Sequence, residues 1–253
     1  VARRPRTPVD GHLTEHSTGI EHVAELIRHT VPPLHPAGIP FIAGSLGVAA
    51  VGYRRSWIRV PALVTAAACA GFFRHPPRVV PAEEGVAVAP ADGEVTLVDT
   101  HVPPAELGLG DGPLPRVSIF LSVFDAHVQR APLAGVVDSV VHTSGQFLSA
   151  DLPEASDANE RTSVRLATEY GPVGVVQIAG LVARRIRTDC APGDALELGE
   201  TYGIIRFGSR VDTYFPAGTE LAVWSGQHAV AAETVIARLP RTPDTDDRPD
   251  DLP

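Results

Sequence analysis

Lysine is absent from this 253-residue chain, whose 21 basic residues are all arginine. The absence excludes a P-loop lysine, a lysine general base and a lysine Schiff base, and with the last of these the usual attachment of pyridoxal phosphate. Methionine is absent too, and Val1 reads as a translated alternative start codon. The two cysteines, Cys69 and Cys190, stand far apart with no His or acid cluster beside either. No metal site is expected, and both thiols read as reduced core residues. Aromatics make up only 6%, so Val, Ala and Leu must do most of the packing. Long apolar runs are missing as well. Gly38–Gly52 and Val60–Phe73 each fall short of the roughly 20 residues a spanning helix needs, and both carry Pro or several Gly.

What is present is a globular composition, 44% hydrophobic and 20% charged. The net charge of -9 is unevenly spread. Residues 1–80 hold nine Arg against four acids, a balance of +5; the remainder holds twelve Arg against twenty-six acids, a balance of -14. An acidic body argues against nucleic acid as a partner, which calls for a basic footprint. A basic, apolar N-terminal part suits an anionic membrane surface.

Residues 19–31 place Ile20, Val23, Ala24, Ile27 and Val31 on one face of a short amphipathic helix, which serves equally to pack on the protein's own core. The two apolar segments follow, separated by Tyr53-Arg54-Arg55-Ser56-Trp57-Ile58-Arg59. A spanning hairpin with the body inside would put those arginines outside, against the positive-inside tendency. A re-entrant or interfacial pair keeps them at the headgroups with Trp57 and Tyr53 at the boundary, and is favoured. A secretory signal peptide is not expected, because the apolar run starts too far along the chain. From Val79 on, short apolar alternations are punctuated by Pro, Gly and Asp, the texture of strands and turns. The expected fold is α+β but mainly β: stacked sheets or a distorted barrel-like body with N-terminal helices. The domains expected are a membrane-associating region over 1–78, a catalytic region over 79–239 and a disordered acidic tail over 240–253.

Three motifs carry chemistry. Gly208-Ser209 lies within YGIIRFGSRVDTYFP. Taken alone, Gly-Ser between strands is a turn. Alternatively, a serine hydroxyl can attack the preceding carbonyl of a strained peptide, and glycine leaves that carbonyl unshielded. Elimination and hydrolysis then leave a pyruvoyl group, an electron sink that needs no lysine. The second motif is FDAHVQRAP, where His127 is either a structural hydrogen-bonder or an acid/base carrier beside Asp125 and Arg130. The third is PADGEV, where Asp92 reads locally as part of an Asp-Gly hairpin turn, with a carboxylate that orients a base as the other reading.

These segments stand in one order: FFRHPPR, PADGEV, FDAHVQRAPLAG, Asn159-Glu160-Arg161, QIAGLVARRI and IRFGSRVD. The set resembles the short bacterial form of the phosphatidylserine decarboxylase family, over residues 20 to 238. The resemblance implies self-cleavage between Gly208 and Ser209, with a pyruvoyl cofactor made from Ser209 at the head of the smaller chain. It implies conversion of phosphatidylserine to phosphatidylethanolamine and CO₂ by a homodimer at the cytoplasmic face of the cell membrane. Ser209, His127 and Asp92 resemble the catalytic set, and Arg130 and Phe124 are substrate-binding candidates. In the long form a second histidine stands where this chain has Arg130, so the long-form Asp-His-Ser set is not carried over intact. Two other readings compete. A non-catalytic, membrane-tethered carrier-like β domain would need a lysine that the chain lacks. A pyruvoyl decarboxylase of a soluble amino acid would have no use for the apolar N-terminal pair.

Overall fold

Both apolar segments are helices in the computed structural model, which describes residues 32–150, 155–180, 185–206 and 209–240. The helix expected over 19–31, the tail from 241 and Gly208 lie outside the described residues. Helix α1 spans Ile39–Val51 and helix α2 spans Ser56–Phe72. Pro40 sits in the first turn of α1, where its missing N–H costs nothing. Gly52 ends α1 where the turn is tightest: a Cβ there would lie 2.5 Å from the Ile58 side chain. The helices bury Ala49, Ala62, Ala66 and Phe72, whereas Val51 (90% exposed), Trp57 (72%), Leu46, Val60 and Val64 face outward. At 1.5 Å per residue the helices are about 20 and 26 Å long. Among the described residues no helix is long and apolar enough to cross a membrane.

The rest is mainly β, as the alternation predicts, in three antiparallel sheets with strands numbered in chain order. The largest sheet has eight strands. Its spatial order is β13 (His228–Ala229), β2 (Gly93–His101), β3 (Leu114–Leu121), β11 (Ser209–Tyr214), β7 (Gly171–Ala179), β6 (Arg161–Thr168), β5 (Gly135–Thr143) and β9 (Ala195–Leu196). A second sheet orders β4 (Val128–Arg130), β10 (Thr201–Ile205) and β8 (Ile186–Thr188). The third orders β1 (Val86–Val88), β14 (Val235–Arg238) and β12 (Glu220–Leu221). From Leu34 on, the chain forms one compact unit.

Strand β11 is buried at every residue, so both its faces are covered. One face carries Val211 into the main core with Val95, Val117, Ile119 and Val175. The other carries Tyr214 against Leu107, Val176 and Ile178. Such two-sided burial erases the polar alternation of a half-exposed strand and admits Arg210 and Asp212 only as paired charges.

The Asp-Gly hairpin expected from PADGEV does not form. β1 pairs with β14 and β2 pairs with β3, so residues 89–92 pass from one sheet to another. Gly93 serves a different need. Its φ is +149°, and a Cβ there would sit 2.1 Å from the Phe120 carbonyl oxygen. Glycine is thus required by the close approach of β2 to β3. Gly93→Ala is expected to lower stability by about 1–3 kcal/mol in urea unfolding, and an unchanged midpoint would contradict this account.

Candidate active site

The register of the large sheet gathers the three motifs at one end. Glu94, Phe120, Arg210 and Ile178 form one row across β2, β3, β11 and β7. In the next row Ser209 pairs with Leu121 on one side and Ala179 on the other, and Gly93 lies at the start of β2. Asp92 therefore immediately precedes this row and the 122–127 turn immediately follows it.

Ser209 is fully buried, and its Oγ has no hydrogen-bond partner among the described residues. Thr213 on the same strand shares that condition, so burial alone does not single Ser209 out. Its place does: it is the first residue of the central strand, held in the ladder from both sides. A buried hydroxyl left without a partner costs about 1–3 kcal/mol and calls for an explanation.

His127 is fully buried. The preceding turn is tied by Asp125, whose Oδ2 accepts from the Ser122 backbone N–H (2.8 Å) and hydroxyl (2.7 Å). His127 Nδ1 lies 2.9 Å from the Asp125 carbonyl oxygen. A carbonyl only accepts, so Nδ1 carries the hydrogen and the neutral ring keeps its lone pair on Nε2. The Phe72 ring lies 4.0 Å from the imidazole, centroid to centroid. Burial pushes the His127 pKa down to about 4, against the opposing pull of Asp125, with Arg74 lowering it further. The backbone carbonyl of His127 is held as well. It accepts from Gln129 Nε2 at 2.7 Å, and Gln129 Oε1 accepts from Gln177 Nε2 at 3.0 Å.

Asp92 is buried, and its hydrogen bonds tie it to Arg78 and the Ala231 N–H and not to the imidazole. Oδ2 accepts from Arg78 Nη2 at 2.5 Å and Oδ1 from the Ala231 N–H at 2.8 Å. Arg130 donates to the carbonyls of Gly199 and Pro76, both at 2.9 Å. Burial first, and then the charge of Arg78, lower its pKa, while Asp92 and Glu233 oppose them. Asp92, Arg78, Arg130 and Glu233 thus form one charged cluster. Phe124 is 84% exposed, on the rim of a groove of about 590 Å³ between α2 and residues 123–124. Val64, Ala68, Cys69 and Phe72 line the groove, so the ring against His127 also forms part of its wall.

The FFRHPPR segment has no roles legible from its sequence alone. In the fold this strap touches each part of the site. Phe72 meets His127, Arg74 donates to the Phe124 carbonyl (2.7 Å), Pro76 accepts from Arg130 and Arg78 pairs with Asp92. The available signal was two arginines and a histidine around a Pro-Pro pair directly after an apolar helix, an arrangement too polar to end in a simple loop.

Comparison with known proteins points to one family. The phosphatidylserine decarboxylase family model matches residues 65–237. A phosphatidylserine decarboxylase proenzyme of Nocardia farcinica is 62% identical over 240 residues, covering 94% of this chain and 100% of the relative. The proenzyme of Rhodococcus erythropolis is 62% identical over 241 residues, covering 95% of this chain and 100% of the relative. That of Mycobacterium marinum is 60% identical over 241 residues, with the same coverage. With a buried serine opening the central strand and an aspartate and a histidine at the same sheet end, the chain belongs to the phosphatidylserine decarboxylase family.

Proposed function

We propose that this chain is a proenzyme that cleaves itself between Gly208 and Ser209 and then decarboxylates phosphatidylserine to phosphatidylethanolamine and CO₂, at a pyruvoyl group made from Ser209. The observation that carries the reading is the position of Ser209: buried, first in β11, Oγ without a partner among the described residues. The site fits such a group, because β11 is paired on both sides without help from the chain before it.

In maturation, Ser209 Oγ attacks the Gly208 carbonyl carbon, giving an ester and a free amine at residue 209. Loss of the Ser209 Cα proton then breaks the Cβ–Oγ bond and frees the Gly208 carboxylate. Water replaces the nitrogen, which leaves as ammonia. A pyruvoyl carbonyl at residue 209 would supply the electron sink for the electrons left behind as CO₂ departs. The remaining work falls to side chains. His127, neutral because it is buried, is the candidate to take a proton at Nε2 and to return one to the substrate carbon. Asp92, paired to Arg78, is the candidate carboxylate at the same sheet end. Arg130 suits the anionic headgroup, and exposed Phe124 suits the apolar part of the lipid.

Residues 1–78, of which 32–78 are described, are proposed as the membrane-associating part and 79–239 as the catalytic part. The outward side chains of α1 and α2 suit the apolar boundary of a membrane, and Arg54, Arg55 and Arg59 suit its headgroups, with the enzyme peripheral on the cytoplasmic face. Assembly as a homodimer belongs to the same reading.

Ser209→Ala is expected to remain one chain on a denaturing gel and to lack activity, whereas the parent chain runs as two. Two chains from the variant would sink the proposal. The parent should release CO₂ from phosphatidylserine vesicles and not from free serine; the reverse preference would refute the lipid assignment. A third expectation concerns pH. Between the folded value of about 4 and the ordinary 6.5, the unfolded chain binds a proton at His127 that the folded chain does not. Stability therefore falls as pH drops through that window, by up to about 3 kcal/mol. Urea midpoints at pH 7 and 4.5 should differ less in His127→Gln than in the parent, and equal differences would contradict the assignment.

A further inference from the structure

The structure points to a role for the residue that follows the cleavage site. We propose that Arg210 is the positioning residue that keeps the end created by cleavage seated in the sheet. This inference rests on the function proposed above.

Arg210 is fully buried, and its guanidinium is held from several directions. Nε donates to Asp212 Oδ1 at 2.8 Å and Nη2 to Asp212 Oδ2 at 3.1 Å. Nη2 also donates to Ser156 Oγ, and Nη1 to the Ala150 carbonyl at 3.2 Å. Asp212 is fully buried too and accepts from Ser156 Oγ at 2.8 Å. Arg116 stands 3.8 Å from Asp212, and its own charge is met by Asp99 at 2.9 and 2.7 Å. The network thus binds β11, β3, β2 and the short helical turn Ala155–Ala158 together, on the face of the sheet opposite the main core.

Maturation removes two of the restraints on residue 209. The peptide bond to Gly208 is cut, and the backbone nitrogen, with its ladder hydrogen, leaves as ammonia. New chain ends fray unless something ties them down. Arg210 is one residue from the reacting carbonyl. Its side chain cannot leave without abandoning a buried aspartate, which is strongly disfavoured. The ion pair therefore replaces, from the far face of the sheet, the restraint lost at the cut.

The test uses the matured enzyme and two variants, Arg210→Met and Ser156→Ala. Gels and intact mass report cleavage and the carbonyl at residue 209. Labelling by a water-soluble hydrazide reports how often that carbonyl becomes exposed, and kinetics on phosphatidylserine vesicles give kcat and KM separately. Arg210→Met should label about tenfold faster and lose about tenfold in kcat per carbonyl, with KM changed less than about twofold. Ser156→Ala, which removes one hydroxyl from the network, should move both readouts in the same direction by less. A purely structural role would lower the urea midpoint and leave labelling and kcat per carbonyl at parental values, which would overturn the proposal. If Arg210→Met yields no cleaved protein, Ser156→Ala decides, and parental values there overturn it equally. A parent enzyme without a hydrazide-reactive carbonyl at residue 209 would instead refute the proposed function.

Discussion

The two-sided pairing of β11 is the constraint on which the site depends. Six consecutive residues, Ser209 to Tyr214, pair with β3 on one side and β7 on the other. Main-chain bonds of that kind do not depend on chain continuity at residue 208. A cut there leaves the strand in the middle of its sheet, and the core built on Val211 and Phe215 stays intact. The same pairing sets the row that places Gly93, Leu121 and Ser209 side by side, and so brings three segments distant in sequence to one edge.

A second device joins the apolar helices to that edge. Helix α2 runs directly into the strap of Phe72, Arg74, Pro76 and Arg78, each of which holds a different part of the site. Phe73, fully buried with Ala37, Val128 and Ile204, pins the strap to the body. Whatever fixes α2 against a surface also fixes the ring packed on His127 and the guanidinium paired with Asp92. The groove beside Phe124 opens between the same helix and the turn that leads to His127.

Electrostatics at this edge follow from burial. His127 has its ring against Phe72 and its Nδ1–H on a backbone carbonyl, so the neutral form prevails near pH 7. Asp92 has an arginine at 2.5 Å, so its carboxylate has a fixed partner. A chain without lysine has arginine alone for such roles besides histidine. Its planar fork can hold a carboxylate and a carbonyl at once, as Arg210 does with Asp212 and Ala150.

The sequence by itself determined the class of chemistry and the texture of the fold. Missing lysine closes the common routes to an electron sink, Gly208-Ser209 leaves one open, and the period-two alternation after Val79 makes a β body, because such patterns are local. Tertiary structure alone decided the partners. PADG reads as a hairpin turn in sequence, yet β1 pairs with β14 and the start of β2 pairs with β13, each more than a hundred residues away, because pairing here is chosen by long-range register and not by the turn. In sequence Asp92 is a turn residue or a carboxylate that orients a base, and only the fold brings Arg78 to that carboxylate and the Asp125 carbonyl to the His127 imidazole. The polar run after α2 marks Arg74 and Arg78 as more than loop residues, but what they and Phe72 hold is decided only where α2 meets the sheet edge. Arg210 is the plainest case. In sequence it is an arginine after a serine, and only a strand buried on both faces turns it into a paired charge that holds the end of β11.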